Sequence, residues 1–202
     1  PQGTYRWFLF PGTAAWVTGE LDDEARVQLD SSQSIWVARR DVQGAPDAAM
    51  TPLRVSHAAL LLRRAWIDLD VRVPAPPAYV VDETEQTITL TLYNTTGSRA
   101  DAKPVADART VTDPYLDSVH VQVTPSRVTY TFTCSHFIYG YLALYHDGVL
   151  TFRLRRPPHV DPAHPLRGLT IAVYPGHPPA GATGPTGLYE GDVTLAVGER
   201  LR

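Results

Sequence analysis

The chain has one cysteine, Cys134, so it holds no disulfide of its own. It has one lysine, Lys103, and its formal charge is −3, with acidic side chains slightly outnumbering basic ones. Without a basic excess it lacks the electrostatic footprint of a protein that neutralises a phosphate backbone, and nucleic acid is excluded as the expected partner. No apolar run approaches the roughly 18 residues that a membrane-spanning helix needs. Long helical periodicity is scarce too, because 18 prolines and 14 glycines punctuate the 202 residues. That density predicts many short strands joined by turns. The chain opens on Pro1 with no leader pattern, which fits either a mature end whose signal peptide has been removed or a start that is not the protein's own. A charged fraction of 19% and a hydrophobic fraction of 44% are those of a folded domain rather than a disordered chain.

What is present is alternation. Residues 5–10 (Tyr-Arg-Trp-Phe-Leu-Phe) form an apolar run that Pro11-Gly12 stops, and residues 14–18 form a second that Gly19 stops. Residues 25–30 alternate with period two, and residues 34–38 follow a polar turn at 31–33. Short strands so closely spaced predict a small closed barrel over residues 1–43, with Trp7, Trp16 and Trp36 in its core. Residues 44–52 read as a linker, and residues 58–66 (Ala-Ala-Leu-Leu-Leu-Arg-Arg-Ala-Trp) allow a short helix within the 44–66 segment.

From residue 67 to 156 the pattern is that of an antiparallel β-sandwich. Ile88, Leu90 and Leu92 share one strand face; Val128, Tyr130, Phe132 and Cys134 share another, with threonines opposite. Asp147-Gly148 between two apolar runs predicts a tight hairpin, since a type I′ turn requires positive φ. Residues 94–117 read as a long loop, and Arg153, Arg155 and Arg156 as a solvated face. Cys134 lies on the apolar side of its strand and is expected to be a buried, inert thiol. Residues 157–168 form a proline-rich linker.

The period then changes. Residues 169–174 (Leu-Thr-Ile-Ala-Val-Tyr) are a continuous apolar run, as in a buried parallel strand. A Gly/Pro-rich loop follows, and Val193, Val197 and Leu201 fall at helical spacing. Residues 169–202 therefore read as the first strand, loop and helix of an incomplete α/β domain. One strand and one helix cannot cover each other's apolar sides, so something further must cover Ile171, Val173, Val193 and Val197.

Two resemblances attach to these segments. The Pro11-Gly12-Thr13 turn, Val17-Thr-Gly-Glu20, residues 25–29 and Ile35-Trp-Val37 before Asp41-Val42 resemble a bacterial SH3-like module. Pro175-Gly176-His177, the glycine-rich loop and Gly187-Leu188-Tyr189-Glu190 resemble the opening of the zinc-dependent N-acetylmuramoyl-L-alanine amidases. The upstream sandwich, with Tyr139-Gly-Tyr141 and residues 155–158 before Pro165-Leu-Arg-Gly168, resembles the β domain found ahead of such enzymes. The resemblance implies zinc as cofactor, His177 and Glu190 as two of its ligands, and hydrolysis of the muramoyl–alanine amide of peptidoglycan by the full-length family. It implies an extracytoplasmic location, with peptidoglycan or an envelope protein complex as partner. Where that family carries a motif Asp that orients the ligand His, this chain has Tyr174, which supplies no carboxylate. The family's second His ligand and catalytic Glu lie further along than Arg202, so no catalytic residue is assigned here. The reading is thus the envelope-binding portion of an amidase, itself inactive, in a chain expected to continue beyond Arg202. The alternative is a non-catalytic extracytoplasmic subunit of a larger, membrane-bound assembly.

Overall fold

A computed structural model describes residues 7–44, 51–106, 113–176 and 181–201. The fold is mainly β. The chain divides into two compact units, Pro1–Pro157 and Pro158–Arg202.

The first unit is built on two five-stranded sheets. One runs in the order β1 (Trp7–Phe8), β8 (Ala78–Glu83), β9 (Thr87–Tyr93), β13 (Arg127–Cys134), β12 (Leu116–Val123). The other runs β11 (Val105–Ala106), β6 (His57–Leu62), β7 (Trp66–Arg72), β15 (Val149–Arg155), β14 (Tyr141–His146). All neighbours are antiparallel except β11 and β6, which run parallel. Strands β2 (Trp16–Leu21), β3 (Glu24–Gln28) and β4 (Ser34–Ala38) make a separate antiparallel meander. Strands β5 (Leu53–Arg54) and β10 (Thr95–Thr96) pair in parallel, and a single helical turn, α1 (Arg99–Ala102), follows.

The sandwich forms where the alternation places it. Ile88, Leu90 and Leu92 of β9 and Val128, Tyr130, Phe132 and Cys134 of β13 face Ile67, Leu69 and Val71 of β7 and Leu150, Phe152 and Leu154 of β15 in one buried cluster. Phe132 and Phe152 meet across the layer with ring centroids 5.8 Å apart. Burial pushes the Cys134 thiol up, which keeps it protonated and unreactive. The β14–β15 hairpin turns on Asp147 (φ 47°) and Gly148 (φ 77°), the two positive values a type I′ turn demands.

Four expectations need correction. Residues 58–66 are not helical: β6 pairs with β7 along its length, and Ala58 and Leu60 point into the core with a period of two. The 94–117 stretch is not one irregular loop, since β10, α1, β11 and the start of β12 lie within it. The N-terminal strands do not close into a barrel among the described residues. The apolar side of the meander has a better cover, because Val27, Leu29 and Ile35 pack on Ala78 and Val80 of β8 and Tyr93 of β9. Finally, the three arginines after β15's midpoint are not simply solvated. Arg153 donates to Asp68 at 2.8 Å, Arg156 to Asp113 at 2.8 Å, and Arg153 and Arg155 both lie over the Trp66 ring.

Two buried carboxylates tie distant segments together. Asp30, only 2% exposed, accepts from Arg127 of β13 (Nη2 to Oδ1, 3.0 Å) and from the Ser32 and Gln33 amides, both 2.9 Å. Asp113 pairs with Arg156 and accepts from the Tyr115 and Leu116 amides. Burial alone would raise both carboxyls; the arginine partners and amide donors outweigh it and hold both below the usual aspartate range. A carboxyl depressed in the folded state contributes stability above its unfolded value and loses it as pH falls through the folded one. Thermal melts should therefore be flat from pH 8 to about 5 and fall in midpoint below about pH 4.

In the second unit, α2 (Glu190–Leu201) forms at the predicted spacing. The parallel strand expected at residues 169–174 is absent: that stretch has no regular structure and joins no ladder, with Ile171, Val173 and Tyr174 exposed. A strand needs a neighbour to take its amide hydrogen bonds, and none of the described residues provides one. Val193 and Val197 are exposed on α2 as well. Among the described residues no helix is long and apolar enough to cross a membrane.

Candidate functional site

Two places follow from the residues singled out in the sequence. The first is the open face of the meander. Strand β3 alternates strictly, with Ala25 and Val27 buried and Arg26 outward. Its neighbours follow: Ile35 is buried on β4 while Trp36 points out. The register sets Trp16 opposite Gln28 and Gln28 opposite Ser34; Arg26 stands opposite Trp36. Both tryptophans thus share the outer face, 43% and 48% exposed, with the polar row of Gln28, Ser34 and Arg26 between them. Arg26 lays its guanidinium along the sheet, with Nε and Nη2 each 3.2 Å from Ser34 Oγ. Two strand spacings across and two residues along separate the tryptophans by about 12 Å.

Trp16 and Trp36 are therefore not the barrel core that the sequence suggests, while the Trp7 side chain lies outside the described residues; the covering of the opposite face by β8 and β9 turns the two outward. Nearly half of each indole is left in water. The flat indole face can stack on an apolar ring face, and the neighbouring amide, hydroxyl and guanidinium can bond hydroxyls and carboxylates. The sequence contains the signal for this in Trp16 and Trp36, but which side of the strand is outward depends on the docking of the meander.

The second place is the loop and helix around Glu190. The loop folds back on itself: Gly184 N donates to Leu188 O at 2.8 Å, and Gly187, at φ 81°, turns the chain. Glu190 N donates to Ala182 O at 2.9 Å, while Glu190 Oε2 accepts from Ala182 N at 3.1 Å. Glu190 therefore opens α2 and clamps the loop before it, where a helix N-terminus also favours a carboxylate. His177, the other ligand the amidase resemblance names, lies outside the described residues. Tyr174 is exposed and contributes a phenol where the resemblance places a carboxylate. A catalytic zinc takes three protein ligands and a water. Among the described residues no group of three or more His, Cys, Asp or Glu side chains converges on one point. The resemblance names two ligands in this chain, which is short of that set, and no chemical step is assigned through zinc here. His120, His146, His159 and His164 are exposed.

No family model and no curated protein matches the chain.

Proposed function

We propose that this chain is the envelope-binding, non-catalytic portion of an amidase-like protein, and that the outer face of the meander meets the glycan of the cell wall. The observation that carries the reading is the pair of exposed tryptophans, Trp16 and Trp36, set on one face around Gln28, Ser34 and Arg26. Pyranose rings offer C–H faces for stacking and hydroxyls for the polar row, and the free carboxylates of the stem peptides suit a guanidinium. The link to amidases rests on the Pro175-Gly176-His177 and Gly187-Leu-Tyr-Glu190 stretches, and is supported by Glu190 heading a helix directly after a glycine turn. Such a protein works outside the cytoplasm. His177 and Glu190 would be the two positions of the family's zinc site that these 202 residues carry.

Co-sedimentation of the full 202-residue chain with insoluble peptidoglycan tests this. The wild type should be retained, and Trp16→Ala with Trp36→Ala should weaken retention by about tenfold or more without moving the melting temperature. Retention should be indifferent to a metal chelator, because neither tryptophan is near the Glu190 loop in sequence. Unchanged retention in the double variant, or none in the wild type, would overturn the proposal. A second reading, a non-catalytic subunit of a larger extracytoplasmic assembly, is favoured by the exposure of Ile171, Val173, Val193 and Val197. It expects wall retention to be absent.

A further inference from the structure

We infer that the chain forms a two-fold symmetric dimer by pairing strand β14 with β14 of a second copy. The sandwich has four edge strands, and three are guarded. Among the described residues strands β1 and β11 are two residues long, and β12 is kinked by a bulge between Leu116 and Ser118 and carries Asp117. Short length, bulges and charges are the devices by which edge strands avoid pairing with other chains. Strand β14 has none of them: it runs six residues in unbroken register with β15, and residues 135–146 contain no Asp, Glu, Lys or Arg.

The hydrogen-bond phase of that edge is defined. Arg155 N donates to Gly140 O at 2.8 Å, so residues 140 and 155 are a hydrogen-bonded pair. The alternation of an antiparallel ladder then turns the N–H and C=O of Leu142, Leu144 and His146 toward β15 and those of Tyr141, Ala143 and Tyr145 toward the open edge. The sequence across this edge reads the same in both directions: Tyr141-Leu142-Ala143-Leu144-Tyr145. An antiparallel partner that is a second copy, centred on Ala143, meets all three outward residues in phase. Ala143 faces Ala143 of the copy, and Tyr141 faces Tyr145 of the copy, giving about six main-chain hydrogen bonds. The outer face then sets Leu142 against Leu144 of the copy, twice, in the closer non-hydrogen-bonded spacing. In the single chain these leucines are 44% and 45% exposed. An isologous contact of this kind is closed and stops at two.

Sedimentation equilibrium on the full chain tests the inference with two variants of equal exposure. The wild type should sediment at twice the 22.2 kDa chain mass. Leu142→Lys with Leu144→Lys sets like charges opposite one another and should weaken the dimer by about a hundredfold. Leu142→Lys with Leu144→Glu pairs opposite charges across the same two-fold and should remain dimeric. All three proteins should melt alike when diluted to monomer, because both leucines point to solvent. A monomeric wild type at every accessible concentration, a double-lysine variant as dimeric as the wild type, or a lysine–glutamate variant as weak as the double lysine would each overturn it.

Discussion

Replacing Phe152 by alanine should cost the first unit about 3–5 kcal/mol of unfolding free energy, the largest single loss foreseen here. Phe152 is fully buried at the middle of β15. Its ring meets Phe132 of the opposite sheet at 5.8 Å and Tyr141 of the neighbouring strand at 5.5 Å. Truncation removes the apolar surface that joins the two layers and leaves a void that backbone ladders on both sides prevent from collapsing. Phe152→Leu, which keeps more of the volume, should lose much less. Urea unfolding followed by tryptophan fluorescence gives both values from the shift in midpoint at constant slope.

Arg127→Ala should cost about 2–3 kcal/mol, the second largest effect. The truncation strands the Asp30 carboxylate, which is almost wholly buried and keeps only the Ser32 and Gln33 amides and Ser32 hydroxyl as donors. It also removes the guanidinium from the face of Tyr93, 4.7 Å away. The estimate lies below that for a fully enclosed pair because Arg127 itself is part exposed and water can partly replace it. Arg127→Lys should recover only part of the loss, since an ammonium cannot bond both Asp30 oxygens and Ser32 Oγ in one plane. The consequence reaches function: this pair pins the β3–β4 loop to β13, and the meander carries the two tryptophans. Arg127→Ala should therefore weaken peptidoglycan retention as temperature rises, well before the sandwich melts, and parallel melts with retention assays would show the two transitions separating.

The sandwich was legible because its strands alternate. The inward residues of β9, β13 and β15 are apolar, and the outward ones, Tyr93 and Val149 apart, are threonine or arginine, so the sequence names both the strand and its buried side. The Asp147-Gly148 turn and the Val193, Val197, Leu201 stripe were equally plain, since both are local signals. The 58–66 segment misled because alanine, leucine and arginine are good helix formers; tertiary pairing with β7 overrides that preference. The 169–174 run misled for the opposite reason. Its composition suits a buried strand, but strand structure is a property of a pair.

What the sequence determined alone was local and periodic: a mainly β chain, the Asp147-Gly148 hairpin, a buried Cys134 and a helix carrying Val193, Val197 and Leu201. The tertiary structure decided which faces stay in water. Trp16 and Trp36 are apolar residues in strands, and nothing local tells an inward tryptophan from an outward one. The docking of Val27, Leu29 and Ile35 onto β8 and β9, locked by Asp30 and Arg127 from points 97 residues apart, makes that choice. In the same way the Tyr-Leu-Ala-Leu-Tyr palindrome is visible in the sequence, but only the sheet order places it on an open edge. Exposure and edge position depend on contacts between segments far apart in the chain, which no short-range pattern encodes.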